Sequence, residues 1–214
     1  MSDSPTVFII DDDPAARESM SALVESNGLQ SETFPSGEEF LEKFDSSRPG
    51  CIVTDFRMLG MSGLDLQQKL VEREITTPVI LITGFANVPM AVQALQGGAV
   101  TVLEKPCPDD ELFAHIRTSL ELDAQQRLRF NEEFQIRERL AQLTDGERKV
   151  MKLLVEGLMN KVIAKRLDIG LRTVELRRHE IMRKMDVASV AELVRLVVQF
   201  DKDQMGEETA GESE

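Results

Sequence analysis

The chain has no tryptophan and no tyrosine in its 214 residues, so phenylalanine supplies every aromatic ring. Its cores must be built from Leu, Val, Ile, Met and Phe. Cysteine is also scarce: Cys51 and Cys107 are the two, and their separation fits neither a CxxC motif nor a metal-ligand spacing. That excludes a disulfide scaffold and a thiolate metal site, and leaves two reduced thiols in a cytosol. No apolar run approaches the roughly 20 residues of a membrane span. The opening "MSDSPT" has no basic stretch leading into an apolar one, the pattern of a secretory leader. Together these absences predict a cytoplasmic protein with no membrane partner.

Negative charge is abundant and unevenly spread. The formal net charge of −13 divides into −12 over residues 1–122, +4 over 123–200 and −5 over 201–214. Such asymmetry predicts two domains with different partners. The domains expected are 1–122 and 140–200, joined by a helical linker over 123–139. The tail 201–214 is acidic and poor in apolar residues, and disorder is expected there.

Up to about residue 122, short apolar runs alternate with helical patterns. "TVFII" (6–10) leads into "DDDP", where Pro14 suits the first turn of a helix that Asp12 or Asp13 can cap. "LQSETF" (29–34), "CIVTD" (51–55), "PVILIT" (78–83) and "TVLE" (101–104) complete five strands. Helices over about 14–27, 36–44, 64–73 and 90–96 lie between them, and "SGEE" (36–39) reads as a capping box. The alternation predicts a parallel sheet covered on both faces, with ligands gathering at the carboxyl ends of its strands.

At those ends stand Asp11 and Asp12, Asp55, Thr83 and, just past the fifth strand, Lys105. Three clustered carboxylates repel one another unless a cation sits among them, and hard oxygen donors suit Mg²⁺. A carboxylate beside Mg²⁺, a hydroxyl and an ammonium can act as a nucleophile toward phosphorus, giving an aspartyl-phosphate on Asp55. Mg²⁺ and Lys105 would neutralise the transferred charge while Thr83 donates a hydrogen bond. Each residue alone has a plainer reading. An Asp after a strand is commonly a turn former or cap, Thr83-Gly84 a turn and Lys105 a solvated charge. Asp13 is assigned to that plainer class, as a cap or surface acid. The chemistry rests on the set, each member at the end of its own strand.

"IIDDDP", "VTDFRMLGMSGLDL", "LITGFANVPMAVQALQGGA" and "VLEKP" resemble the receiver domain of bacterial two-component response regulators over nearly all of residues 5–120. The resemblance implies a flavodoxin-like α/β domain, a five-stranded parallel sheet with five helices. It implies that Asp55 is the phosphoacceptor, and that Asp11, Asp12, Asp55 and the backbone carbonyl of Arg57 hold Mg²⁺. Thr83 and Lys105 would then contact the phosphoryl group, and the Lys105–Pro106 bond would be cis. Three positions depart from the family: Leu59 replaces a usual Pro, Phe85 a usual His or small polar residue, and Val102 a usual aromatic. In the family that aromatic swings inward and couples the chemistry to a surface change, whereas valine has one stiff torsion and little area to move. An enzyme working through an aspartyl-phosphate, such as a phosphatase, is a poorer match. Arg57 stands where such families carry a second Asp.

From Asp109 to Asp145 there is no Gly or Pro, so the last receiver helix is expected to continue as a connector, with Leu128, Phe134, Ile136 and Leu140 scattered among charges. That connector reads equally as packing on a partner or as fully solvated. "LTDGE" (143–147) is a capping box opening a helix through "RKVMKLLVEG"; then come "NKVIAKRL", a tight turn "DIG", and "LRTVELRRHEIMRKM". Helix, turn and longer basic helix is the helix-turn-helix arrangement. Residues 160–184 carry a local charge of +5. At ~100° per residue, Val174, Ile181 and Met185 share a core face with Met182 at its edge. The opposite face carries Arg172, Leu176, His179 and Arg183, flanked by Glu175 and Glu180. That mixture suits a major groove, with basic groups for guanine edges or phosphates and Leu176 for a thymine methyl. Lys161, Arg177, Arg178 and Lys184 are placed for phosphates and register, and Thr173 joins the candidate DNA contacts. His179 reads equally well as a surface histidine.

The stretch from "LTDGERKVMKLLVEG" to "VASVAELVRL" resembles the LuxR-type DNA-binding domain, an all-α four-helix helix-turn-helix domain, over about 140–200. This implies that the second helix of the pair reads DNA through Glu175, Leu176 and His179, and that the fourth helix, 190–199, forms a dimer contact. Gly170 and Leu171 stand where Ser-Pro is common, and glycine still serves as an N-cap at small cost. Receiver, linker and this domain together resemble FixJ-type response regulators over the whole chain. The partners implied are a sensor histidine kinase, a second copy of the chain on phosphorylation, double-stranded DNA and, as a further candidate, RNA polymerase. The function implied is regulation of transcription. Enzymatic work is confined to self-catalysed phosphoryl acceptance and slow hydrolysis. An alternative keeps the DNA binding and drops the switch, leaving the receiver as a dimerisation module; Val102 and Leu59 motivate it.

Overall fold

The structure is a computed structural model that describes residues 4–85 and 87–211, with residues 202–211 described by their backbone alone. It divides into two compact units, one ending at Leu128 and the other beginning at Arg129.

In the first unit, β1 (Thr6–Ile10), β2 (Gln30–Phe34), β3 (Gly50–Asp55), β4 (Val79–Thr83) and β5 (Thr101–Glu104) form one parallel sheet in the order β2-β1-β3-β4-β5. The helices are α1 (Pro14–Ser26), α2 (Gly37–Lys43), α3 (Gly63–Glu72), α4 (Val88–Gln96) and the start of α5 (Asp109–Ala141). Strand residues alternate between faces, and apolar side chains at both parities bury the sheet on both sides. Val7, Ile9, Val53 and Ile82 meet Val24 of α1 and Ile116 of α5. Phe8, Ile10, Ile52 and Leu81 meet Phe40 of α2 and Leu66 of α3. Cys51 belongs to the first of these cores. Burial, helped by the charge of Asp123, pushes its thiol pKa up to about 12, so it acts as a small hydrophobe.

Helix starts follow local signals. Asp13 caps α1, accepting from the Ala15 N–H at 3.0 Å, and Ser36 caps α2, accepting from the Glu39 N–H at 3.2 Å. Ser62 and Asp65 form a reciprocal capping box at α3. Two residues of the stretch expected as linker, Asp123 and Arg127, bond to the first unit. The buried Asp123 carboxylate accepts from the Gly50 N–H at 2.9 Å and from Arg127 Nε at 2.8 Å. The other nitrogens of Arg127 donate to the carbonyls of Ser46, Ser47 and Arg48. These bonds hold α5 to the receiver through the residues first assigned to the linker. Their partners lie far back in the chain, where helical periodicity gives no sign of them.

The second unit comprises the end of α5, α6 (Asp145–Val155), α7 (Asn160–Leu167), α8 (Leu171–Met185) and α9 (Val190–Gly211). Leu143, Val150, Leu154, Ile163, Ile181 and Leu193 build its core, with Leu140 packed against it. Arg139, also placed in the linker by sequence, donates to the Met185 carbonyl at 3.1 Å and to Asp186 at 3.2 Å. Leu128 and Phe134 are exposed. The expected capping box at α6 is present, between Thr144 and Glu147. In the "DIG" turn the left-handed residue is Asp168, at φ 52°, while Gly170 is the extended N-cap of α8. α9 continues into the segment for which disorder was expected. Low hydrophobicity argues against a packed core there, but extending an existing helix avoids the cost of nucleation, and the segment has no proline. Residues 212–214 lie outside the described residues. Among the described residues no helix is long and apolar enough to cross a membrane.

Candidate functional sites

Parallel register lines up the strand ends. Ile10 pairs with Thr54, Asp55 with Ile82, and Thr83 with Glu104, so Asp11, Asp55, Thr83 and Lys105 emerge along one edge. The Lys105 ammonium donates to Asp55 Oδ1 at 2.5 Å and to Asp11 Oδ2 at 3.0 Å. Backbone donors complete the carboxylates. Arg57 N–H reaches Asp55 Oδ2 at 2.7 Å, Asp13 N–H reaches Asp11 Oδ1 at 2.9 Å, and Leu59 N–H reaches Asp12 Oδ2 at 3.0 Å. Thr83 is buried, and its Oγ1 accepts from the Phe85 N–H at 3.2 Å, which leaves its hydroxyl hydrogen free to be donated. The Lys105–Pro106 bond is cis, as expected.

Burial works to lower the Lys105 pKa, but hydrogen bonds to Asp55 and Asp11 and the charges of both outweigh it, so the pKa is raised. The side chain therefore stays cationic at neutral pH. α3 begins hard against the site: a Cβ on Gly63 would lie 2.4 Å from the Asp55 carbonyl oxygen, so only glycine fits there. A carboxylate largely shielded from water and braced by an ammonium, with a spare hydroxyl at the end of the neighbouring strand, can attack phosphorus and have the developing charge met.

The donor chemistry also fits a hard divalent cation. Mg²⁺ keeps several of its waters and needs only one or two carboxylates, which Asp11 and Asp12 supply at the end of β1. The expected grip of three carboxylates on one ion takes another form. Among the described residues no three His, Cys, Asp or Glu side chains are gathered closely enough to hold a metal, and the Lys105 ammonium joins Asp11 to Asp55 instead. Sequence reasoning missed Arg17, which donates to the Asp11 carbonyl at 2.6 Å, and Glu38, which accepts from the Met61 N–H at 3.1 Å and ties down the loop after β3. Neither carries a sequence signal beyond being charged.

In the second unit, the outer face of α8 carries Arg172, Glu175, Leu176, His179 and Arg183, all exposed, and Lys161 is exposed on α7. Thr173 is half-buried. Arg183 is paired with Glu180 at 2.7 Å. Arg177 and Arg178 are half-buried and already engaged: Arg177 donates to the Gly146 carbonyl at 3.4 Å and Arg178 to Asn160 Oδ1 at 3.2 Å. A Cβ on Gly146 would lie 2.6 Å from the Arg177 guanidinium carbon, so the glycine admits the arginine. Lys184, grouped by sequence with the phosphate-contacting residues, instead turns inward to Glu147 at 2.6 Å. Both side chains are largely buried there, which makes the pair part of the core.

A family model described as the response regulator receiver domain matches residues 7–117, and one described as bacterial regulatory proteins, luxR family, matches 141–197. Response regulator protein TodT of Pseudomonas putida is 43% identical to this chain, covering 92% of it and 87% of its own length. Transcriptional regulatory protein FixJ of Azorhizobium caulinodans is 43% identical, covering 92% and 94%. The solved structure of response regulator StyR is similar with a TM-score of 0.87 and 40% identity, covering 92% of this chain and 99% of its own. That of full-length FixJ from B. japonicum gives a TM-score of 0.56 and 36% identity, covering 92% and 98%.

Proposed function

Because the chain belongs to the FixJ-type two-component response regulators, which join a receiver domain to a LuxR-type DNA-binding domain, we propose that Asp55 accepts a phosphoryl group from a sensor histidine kinase and that the phosphorylated protein dimerises on DNA to regulate transcription. The observation that carries this reading is the Lys105 ammonium held between Asp55 and Asp11 at the carboxyl edge of the sheet. An Asp55 oxygen attacks the phosphorus of phosphohistidine. The P–N bond breaks as the new P–O bond forms, and the imidazole leaves with the electron pair and takes a proton from solvent. Lys105 meets the charge that builds on the transferred group, and Thr83 turns its spare hydroxyl hydrogen to a phosphoryl oxygen. Mg²⁺, for which Asp11 and Asp12 would supply the carboxylates, would add further positive charge to that group.

On the DNA side, Arg172, Glu175, Leu176 and His179 meet base edges in the major groove, supported by their exposure along one face of α8. Lys161, Thr173, Arg177, Arg178 and Arg183 set register against phosphates. The reading places the protein in the cytoplasm with its DNA. The test is to incubate the full chain with acetyl phosphate and Mg²⁺, then measure intact mass, dimer fraction and capture of genomic fragments. Wild type is expected to gain the mass of one phosphoryl group and Asp55→Asn none, with dimer and DNA capture rising together. No mass gain in wild type overturns the reading. A mass gain with an unchanged dimer fraction favours the alternative, in which the receiver serves only to dimerise; the half-buried, core-packed Val102 supports that alternative.

A further inference from the structure

We propose that the Arg57 side chain is a second cationic ligand of the phosphoryl group, parked at rest on the ring of Phe85. The inference rests on the reading of Asp55 as phosphoacceptor. Around Asp55 the described residues place three cations, and two are already committed. Lys105 is shared by Asp55 and Asp11, and Arg17 donates to the Asp11 carbonyl. The third, Arg57, has its guanidinium over the Phe85 ring, 5.3 Å from its centre, and forms no ion pair among the described residues. Phe85 is 70% exposed, so water competes for this contact and the cation is weakly held.

Both members of the pair are tied by their backbones to the reacting groups. Arg57 N–H donates to Asp55 Oδ2, and Phe85 N–H donates to Thr83 Oγ1. Phosphorylation converts a singly charged carboxylate into a group of charge about −2, and among the side chains Lys105, already shared, does not match the increase. A guanidinium presents a planar fork of donors suited to phosphoryl oxygens, and charge-assisted bonds of that kind outcompete a cation on an exposed ring. Arg57 starts two residues from the acceptor, so it leaves Phe85 for the phosphoryl group. Its departure frees a ring at the start of the loop into α4.

The test uses the full chain with acetyl phosphate and Mg²⁺. The donor's P–O bond to acetate breaks as the P–O bond to Asp55 forms, and intact mass gives the rate. Arg57→Ala is expected to slow phosphoryl gain about tenfold, with Arg57→Lys restoring part of it. Phe85→Leu, which removes the perch, is expected to speed it about threefold when Arg57 is present, and to have no effect in the Arg57→Ala background. Thermal melts confirm that each variant folds. A second readout exploits the absence of tryptophan: Phe85→Trp installs a single fluorophore, whose emission should shift on phosphorylation with Arg57 present and stay constant with Arg57→Ala. Equal rates with and without Arg57, or an emission shift that survives its removal, overturns the inference. No phosphoryl gain in the wild type sinks the phosphoacceptor reading itself.

Discussion

In the receiver, the charges that matter sit at strand ends and meet across long stretches of chain, as Lys105 does with Asp11 and Asp55. In the DNA-binding unit, charges lie along helices. Those that point outward stay exposed, as Arg172 and His179 do, while Lys184 with Glu147 is drawn into the core. At the carboxyl edge of its sheet the receiver keeps the two ion pairs of Lys105 half-open, at a rim where a new group can enter. The second unit uses its buried pair as a fastening between α6 and α8. An ion pair at an open edge is available for chemistry, and one closed off by packing serves stability.

Substitutions should separate these uses sharply. Lys105→Ala is expected to cut phosphoryl acceptance about 100- to 1000-fold while leaving the thermal melt in place, read by the rate of mass gain. Glu147→Ala should do the converse, destabilising the second unit by about 3 kcal/mol because Lys184 is left buried and unpaired. Urea denaturation followed by circular dichroism measures it, and unchanged phosphoryl acceptance is expected. The same pair carries a pH signature. Burial raises the Glu147 pKa, but the Lys184 hydrogen bond and then those of Thr144 outweigh it and hold the carboxyl below its ordinary 4.5. The folded value lies below the unfolded one, so this stabilisation is complete above about pH 4.5 and is lost as pH falls through the folded value. Glu147→Gln should flatten that acid limb of the stability curve.

Smaller effects sharpen the contrast. Asp123→Ala removes the acceptor for Gly50 and Arg127, and about 2 kcal/mol of receiver stability should go with it. Faster hydrogen exchange at Gly50 is the check. On α8, Leu176→Ala should weaken binding to the cognate site about tenfold with the salt dependence unchanged, whereas Lys161→Ala should reduce the salt slope by about one. Least of all, Asp168→Gly should stabilise the second unit by about 0.5 kcal/mol, since the left-handed backbone there costs aspartate more than glycine.

The strand pattern, the cap at Asp13, the box at Thr144 and Glu147 and the core stripe of Val174, Ile181 and Met185 were all legible in the sequence, and each appears in the structure. These are local signals, written within a turn or a strand. Lys184 turns inward for a definable reason. At ~100° per residue it falls on the rim of the core stripe, and only the arrival of α6, with Glu147, beside that rim draws it in. The anchor at Asp123 and Arg127 escaped for the same reason.

The amino-acid order alone settled which residues end strands, which helix faces are apolar and where helices start, because period, capping chemistry and turn preference act over a few residues. Whether a given charge would lie open at a rim or be sealed into a core was decided by tertiary packing. Desolvation and pairing depend on what a distant segment brings alongside, and no local pattern encodes that.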